Sequence, residues 1–357
     1  MKILQLIQKK QLRGAELFAC QLSTELVKKG HHVRLVVLED GNAALPFPVA
    51  QVLGLKKGVL SDLQVLRRLH TLIRDWQPDI VQANAGDTVR LAVWSKLLFR
   101  WKAALVMRNA STISRYMNGW YRKAYYRFLV SKVDAVASVS QVSYNDFVQT
   151  FPGAVSNIHL LPVGIDPEPY SHVLPATGYG SYILHVGGFT FEKNHAGLIR
   201  IFEQVFSRFP DVQLLCAGDG PLLPAMQRLV EERHLNGRIL FLGQRSDIPA
   251  LMKGARMVVL PSIIEGLPSV LLEGMYCGIP VVAYDTGGIR QVVTDATGWL
   301  VPLNREDLFS ETVIGLLDGK YSDESERVKA GRVMVEQFYT ISKVTEGFEG
   351  VYEGLIR

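Results

Sequence analysis

Two glutamates, Glu265 and Glu273, are separated by seven residues, and Gly266-Leu267-Pro268-Ser269 stands between an apolar run and a second apolar stretch of helical character. Proline suits the first turn of a helix, where its missing N–H is no loss and its fixed φ is already helical. The stretch therefore reads as a strand, a Gly-Pro turn and a helix whose first N–H groups have no partner inside the helix. Such a helix start binds anions, because orphan donors and the helix dipole act together, and a diphosphate is a ligand it suits. Glu273 falls five residues past Pro268, about 7 to 8 Å along the axis at about 1.5 Å per residue. That is roughly the span from a diphosphate to its ribose, whose hydroxyls a carboxylate can accept. Glu265, in the loop ahead of the helix, falls on the sugar side of the phosphates instead. An E-x7-E spacing alone is usually accidental; the strand, turn and helix around this one make it informative.

These residues need a scaffold, and the pattern of apolar runs supplies one. Residues 2–7, 33–38, 79–82, 104–107, 135–139 and 158–161 read as strands. Amphipathic stretches at 15–29, 63–75, 89–99, 114–130 and 142–150 read as helices. Strands alternating with helices specify a parallel sheet covered on both faces. Residues 162–181 carry four prolines and three glycines and break the periodicity, as a linker does. A second series follows, with strands at 182–186, 212–217, 239–242, 257–260 and 280–283. The expected fold is α/β, two Rossmann-like doubly wound domains facing across a cleft into which the carboxyl ends of both sheets point. The expected boundaries are 1–166, 167–341 and a C-terminal helix, 342–357, packing back on the first domain. At 357 residues the chain is long enough for two cores.

The composition, 48% hydrophobic and 20% charged, is that of a globular protein. No apolar run approaches the roughly 18 to 20 residues of a membrane span, and the N-terminus lacks the order of a signal peptide. A cytosolic location is expected. The three cysteines, Cys20, Cys216 and Cys277, are far apart without CxxC spacing, which argues against a disulfide or zinc framework. No Asp-x-Asp cluster is placed to hold a metal against two phosphates, so no metal site is expected. His185 reads as a core histidine, and His31 and His32, following the helix-ending Gly30, as ligands for the last helical carbonyls. The net charge of +5 conceals an asymmetry. Residues 1–166 hold 22 Lys and Arg against 11 Asp and Glu, and residues 88–133 hold ten basic residues and no acidic one. Within 115–132, Trp120, Tyr121, Tyr125 and Phe128 alternate with Arg122, Lys123, Arg127 and Lys132. This segment reads either as a solvated helix face over buried aromatics or as a surface for an anionic membrane or lipid-linked acceptor. Nucleic acid is a weaker reading, since no nucleic-acid motif accompanies the charge.

Residues 261–288, PSIIEGLPSVLLEGMYCGIPVVAYDTGG, resemble the signature of the retaining family-four glycosyltransferases, which have the GT-B fold. The likeness runs along nearly the whole chain: Arg13-Gly14-Ala15-Glu16 is similar to the family's glycine-rich first loop, residues 187–194 (GGFTFEKN) to its phosphate-binding strand end, and residues 160–166 and 218–222 to its turns. The resemblance implies that Lys193 pairs with a donor diphosphate, with Arg13 as a second cation, and that Gly14 approaches it by backbone. It further implies that Glu265 touches the sugar, Glu273 holds the ribose, and Gln244 and Arg245 lie near the base. Three positions depart from the family pattern. Gly188 replaces an arginine, Asn109 a histidine near the sugar (with Arg108 beside it), and Gln291 a glutamate.

The implied reaction moves a hexose-type sugar from a nucleotide diphosphate donor, a UDP-sugar before others, onto a glycan or lipid-linked acceptor of a cell-surface polysaccharide or lipopolysaccharide. Anomeric configuration is retained, the nucleotide-sugar is a substrate and no cofactor is called for. An anionic inner-membrane surface joins the expected partners and nucleic acid does not. A nucleotide-sugar epimerase or phosphorylase of the same fold is one alternative; a non-catalytic membrane or nucleic-acid binding protein is another.

Overall fold

Near-continuous Val, Ile and Leu runs are what strands buried on both faces require, and here they form two all-parallel sheets. The structure, a computed structural model, describes residues 1–55 and 63–356. The chain divides into one unit of Met1–Ile165 with Ile341–Arg357 and a second of Asp166–Thr340.

In the first unit the strands are β1 (Lys2–Lys9), β2 (His32–Glu39), β3 (Val49–Val52), β4 (Ile80–Ala83), β5 (Ala104–Asn109), β6 (Ala135–Ser138) and β7 (Ile158–Leu160). Their order across the sheet is β3-β2-β1-β4-β5-β6-β7. In the second unit β8 (Tyr182–Val186), β9 (Gln213–Ala217), β10 (Ile239–Gly243), β11 (Val258–Leu260), β12 (Val281–Tyr284) and β13 (Trp299–Val301) lie in the order β10-β9-β8-β11-β12-β13. This is the doubly wound α/β architecture expected, and each strand read from the sequence forms within two residues. Two further strands, β3 and β13, escaped that reading because both are short edge strands.

Helix faces explain the packing. Helix Leu63–Trp76 buries Val65, Leu66, Leu69, Leu72 and Ile73, a stripe at the i, i+3, i+4, i+7 spacing of one helical face. Helix His195–Arg208 does the same in the second unit with Leu198, Ile199, Phe202, Val205 and Phe206. Each such side chain contributes about 1.5 to 3 kcal/mol on burial. Helix Gly14–Lys28 ends where expected, at Gly30 with φ +88°.

Three expectations need correcting. The helix read over 114–130 is a 3-10 turn, Ile113–Tyr116, followed by a separate helix, Trp120–Val130. Gly119 at φ +90° divides them, a conformation no helix continues through. Pro268 caps the following helix, Ser269–Tyr276, from one residue outside its first turn. His31 bonds a side chain: its Nε2 lies 2.7 Å from Glu349 Oε1.

That Glu349 belongs to the C-terminal helix, Ile341–Ile356, which packs in the first unit; Arg357, the last residue assigned to it from sequence, lies outside the described residues. Phe348 sits 5.9 Å from Phe18, ring to ring. Tyr352 is fully buried and its hydroxyl donates to Gln82 on β4. Among the described residues no helix is long and apolar enough to cross a membrane.

Candidate functional site

In the second sheet the strand order turns about the neighbouring pair β8 and β11, and ligands of doubly wound folds bind outside the carboxyl ends at such a point. The loops leaving β8 and β11 are tied together there. Ile263 N–H donates to the Glu192 carbonyl at 2.8 Å and Asn194 Nδ2 to the Pro261 carbonyl at 3.1 Å. Lys193 Nζ lies 2.5 Å from Glu265 Oε1, both side chains being largely covered. The loop leaving β12 joins them, as Gly288 N–H donates to the Gly266 carbonyl at 2.6 Å. Beside it Gly287 has φ +56°, and a Cβ there would stand 1.9 Å from the Glu265 carbonyl oxygen. Only glycine permits so close a backbone approach. Gly218, after β9, plays the same part with the Gly187 carbonyl.

Helix Ser269–Tyr276 starts from this loop. Pro268, with φ −78° and ψ 121°, provides no side-chain cap, so the first N–H groups receive no side-chain acceptor from that position. Glu273, one turn in, is half-buried. Burial raises its pKa, and the neighbouring Ser269 and Tyr170 hydroxyls oppose the rise. The structure thus brings together Lys193, Glu265, Gly266, Leu267, Pro268, Ser269 and Glu273, with half-buried Gly188 in the β8 loop. Arg245 stands apart on an exposed turn after β10, where it forks onto Asp247 with bonds of 2.8 and 2.6 Å.

Beneath the β8 loop lie two imidazoles. His185 is fully buried, with Nδ1 3.0 Å from the Val259 carbonyl. His195 starts helix His195–Arg208 and stacks on Phe189 at 3.9 Å, its ring edge-on to His185 at 4.8 Å. Burial pushes His185 down to about 4 and His195 down to about 2, and the nearby Lys193 charge adds to both shifts. A neutral floor therefore underlies the Lys193 cation. Neither His195 nor Tyr170 was read from sequence as part of a site. A bare histidine after Lys-Asn carries no signal, and Tyr170 lies within a proline-rich stretch that reads as linker.

In the first unit, Gly14 opens helix Gly14–Lys28 at the carboxyl end of β1, exposed, with open space where a Cβ would stand. Arg13, exposed, is its cap residue. Asn109 ends β5 and is buried; its Nδ2 donates to the Ser143 carbonyl at 3.0 Å and to Ser138 Oγ at 3.3 Å. Arg108, also buried, lies 4.2 Å over the Phe18 ring. Helix Trp120–Val130 buries only Leu129 and Val130, leaving Trp120 83% and Tyr121 65% exposed. The aromatics of this segment are thus largely on the surface. Among the described residues no group of three His, Cys, Asp or Glu side chains is placed to hold a metal.

The description "Glycosyl transferases group 1" matches residues 173–333, and "Glycosyltransferase Family 4" matches residues 12–169. The N-acetyl-alpha-D-glucosaminyl L-malate synthase of Bacillus anthracis is 28% identical over 176 residues, covering 49% of this chain and 46% of the relative. The alpha-D-kanosaminyltransferase of Streptomyces kanamyceticus is 32% identical over 173 residues, covering 48% and 45%. The chain thus spans about half the length of the curated relatives it matches. Among solved structures, Anabaena HepE in complex with UDP-glucose superposes with a TM-score of 0.84 at 19% identity, over 99% of this chain and 100% of that one. That likeness shows the GT-B fold.

Proposed function

Both halves of this chain belong to the family-four, group 1 glycosyltransferases, and on that footing we propose that it transfers a hexose-type sugar from a nucleotide diphosphate donor with retention of configuration. The observation that carries the reading is one cluster: the Lys193–Glu265 pair, the helix start at Ser269 and the Glu273 carboxylate, joined at the turning point of the second sheet. In this reading Lys193 and the helix start hold the diphosphate, Glu265 the sugar and Glu273 the ribose. For Gly14, Arg13 and Asn109 of the first unit the reading keeps the roles that the sequence resemblance implies. Gly188 lines the phosphate loop, and Arg245 stands towards the base. UDP is the nucleotide to try first, as the Anabaena structure holds UDP-glucose.

The reaction breaks the bond between the anomeric carbon and the diphosphate oxygen and forms one from the acceptor oxygen on the same face of the sugar. The departing diphosphate oxygen takes the acceptor proton. The chain's share is to position both partners and to stabilise the charge that grows on the leaving group. The decisive experiment screens UDP-, GDP- and ADP-sugars by thermal shift, since a donor at about 100 times its Kd adds about 2.7 kcal/mol. It then repeats the binding measurement with Glu273→Ala. Loss of a charged acceptor costs about 1.5 to 3 kcal/mol, so affinity within about twofold of the parent would remove Glu273 from the site. Product analysis with and without acceptor separates transfer from epimerase or phosphorylase action.

For the acceptor, the exposed Trp120 and Tyr121 among basic residues favour a lipid-linked glycan met at an anionic membrane surface. Cell-surface polysaccharide or lipopolysaccharide synthesis on the cytoplasmic side suits such an acceptor.

A further inference from the structure

A buried charge is costly unless an opposite charge or a set of hydrogen bonds accompanies it. Arg108, in the first unit, is only 4% exposed, and its Nε and Nη1 are buried without a hydrogen-bond partner. These two nitrogens stand on different forked edges of the guanidinium, so each edge keeps an uncommitted donor. Its register partner on β6 is Ala137, whose side chain has no acceptor to give. Glu16, a buried carboxylate in the first turn of helix Gly14–Lys28, accepts instead from Gln11 Nε2, at 3.0 Å on Oε1. Among the described residues no carboxylate forms an ion pair with Arg108.

The place of this cation matters as much as its lack of partners. The guanidinium lies 4.2 Å from the ring of Phe18, which is itself buried with Phe348 of the C-terminal helix behind it. Phe18 is in the second turn of the helix that leaves β1, and Arg108 is the last residue but one of β5. The side chain therefore reaches from β5 towards the helix after β1, at the point where the strand order turns from β1 to β4. Ligands of doubly wound sheets bind outside the carboxyl ends at such a point. Burial pushes the guanidinium down to about 10, with the Glu16 charge opposing the shift, so it is a cation at neutral pH. A guanidinium fork matches the oxygens of a carboxylate or a phosphate. An uncharged hydroxyl would leave the charge uncompensated.

We propose that Arg108 binds an anionic group of the acceptor, a carboxylate or a phosphate, and so selects acidic acceptors over neutral ones. The inference rests on the transferase reading above and gives the first unit a part in choosing the substrate. The fold itself separates this role from a structural one. An arginine that holds the unit together is missed when its charge is removed. An arginine kept for a ligand is not, because replacing an unpaired buried charge with an apolar side chain of similar length relieves the fold of its desolvation.

The test compares the full chain with Arg108→Met, which still covers the Phe18 ring but carries no charge. The best-bound of UDP, GDP and ADP is present to fill the donor site while methyl glucoside, methyl glucuronide and glucose 6-phosphate are titrated by calorimetry. The parent should bind one of the two anionic probes at least about tenfold better than methyl glucoside, the scale of one hydrogen bond to a charged group. Which of the two it prefers tells a carboxylate from a phosphate. In Arg108→Met the preference should vanish and the urea midpoint should equal or exceed that of the parent. Nucleotide affinity should stay within about twofold, as for independent sites. No preference in the parent, a preference that survives in Arg108→Met, or a lowered midpoint overturns the inference and leaves the donor site standing. Nucleotide binding that weakens as much as probe binding assigns the charge to the donor and overturns it too. Failure of the parent to bind any of the three nucleotides overturns the donor-site reading, and the acceptor assignment falls with it.

Discussion

Lys193 Nζ and Glu265 Oε1 lie 2.5 Å apart although they are 72 positions apart in the chain. The contact bridges the outgoing loops of two neighbouring strands, β8 and β11. A cation held by a carboxylate is oriented and close to neutral in sum. On the proposed function, a diphosphate arriving there would compete with Glu265 for the ammonium.

Lys193→Ala is expected to lower turnover more than it weakens donor binding. Charge on the diphosphate grows as the glycosidic bond breaks, so the ammonium is worth more in the transition state than in the ground state. Steady-state kinetics and a separate binding isotherm give the two numbers. Equal losses, or none, would remove Lys193 from that role. A double-mutant cycle with Glu265→Gln should be non-additive by about 0.5 to 3 kcal/mol, as for groups in contact.

Transfer is expected to continue in EDTA. In the proposed donor site the positive charge facing the diphosphate would come from Lys193 and the start of helix Ser269–Tyr276, and no three-residue metal cluster occurs among the described residues. Activity that vanishes with chelator and returns with magnesium or manganese would contradict this.

Peripheral binding to anionic vesicles is expected from Arg122, Lys123 and Arg127, beside the exposed Trp120 and Tyr121. Each basic residue near such a surface contributes about 1 kcal/mol, screened by salt. Sedimentation with anionic and neutral vesicles at two ionic strengths reads it out. Neutralising all three should release the protein from vesicles without altering nucleotide binding. If the parent ignores both vesicle types, the segment is a solvated face.

Acid should destabilise the second unit through His185 and His195. Their ordinary value is 6.5, and burial holds the folded values at about 4 and about 2. Below about pH 6.5 the unfolded chain takes up protons that the folded chain refuses. Stability therefore falls as pH drops through that window, and the His185 contribution levels off near pH 4. At pH 5 the loss approaches about 2 kcal/mol per imidazole. Urea midpoints at pH 7 and pH 5 measure it. His195→Phe, which keeps a ring against Phe189 without titrating, should shrink the difference, and an unchanged difference would assign the acid sensitivity elsewhere.

Local pattern carried most of the fold and part of the site. Runs such as 35–38 and 257–260 are apolar enough to be strands on either face, and Gly30 marks a helix end by its conformation alone. The E-x7-E segment was legible because turn, cap and helix are written in one continuous stretch. What sequence could not show depends on distant partners. His31 was assigned to nearby carbonyls, yet it meets Glu349 from the far end of the chain. Tyr170 looks like linker until its ring is found edge-on to Tyr276. β3 and β13 needed a neighbouring strand to be recognisable as strands. Gly119 divides a helix that the flanking aromatic and basic residues would otherwise continue.

The return of helix Ile341–Ile356 to the first unit has a consequence for how the protein is made on the ribosome. Gln82 on β4 emerges early, but the Tyr352 hydroxyl that it accepts emerges only after all of the second unit has been synthesised. The second unit is contiguous and can close its own core during translation, whereas the first must wait with the site for Tyr352, Phe348 and Val344 uncovered. Nascent domains tend to fold as units from the N-terminus onward; here the order of completion is inverted, and a chain stalled before residue 341 would present that uncovered apolar seam to chaperones.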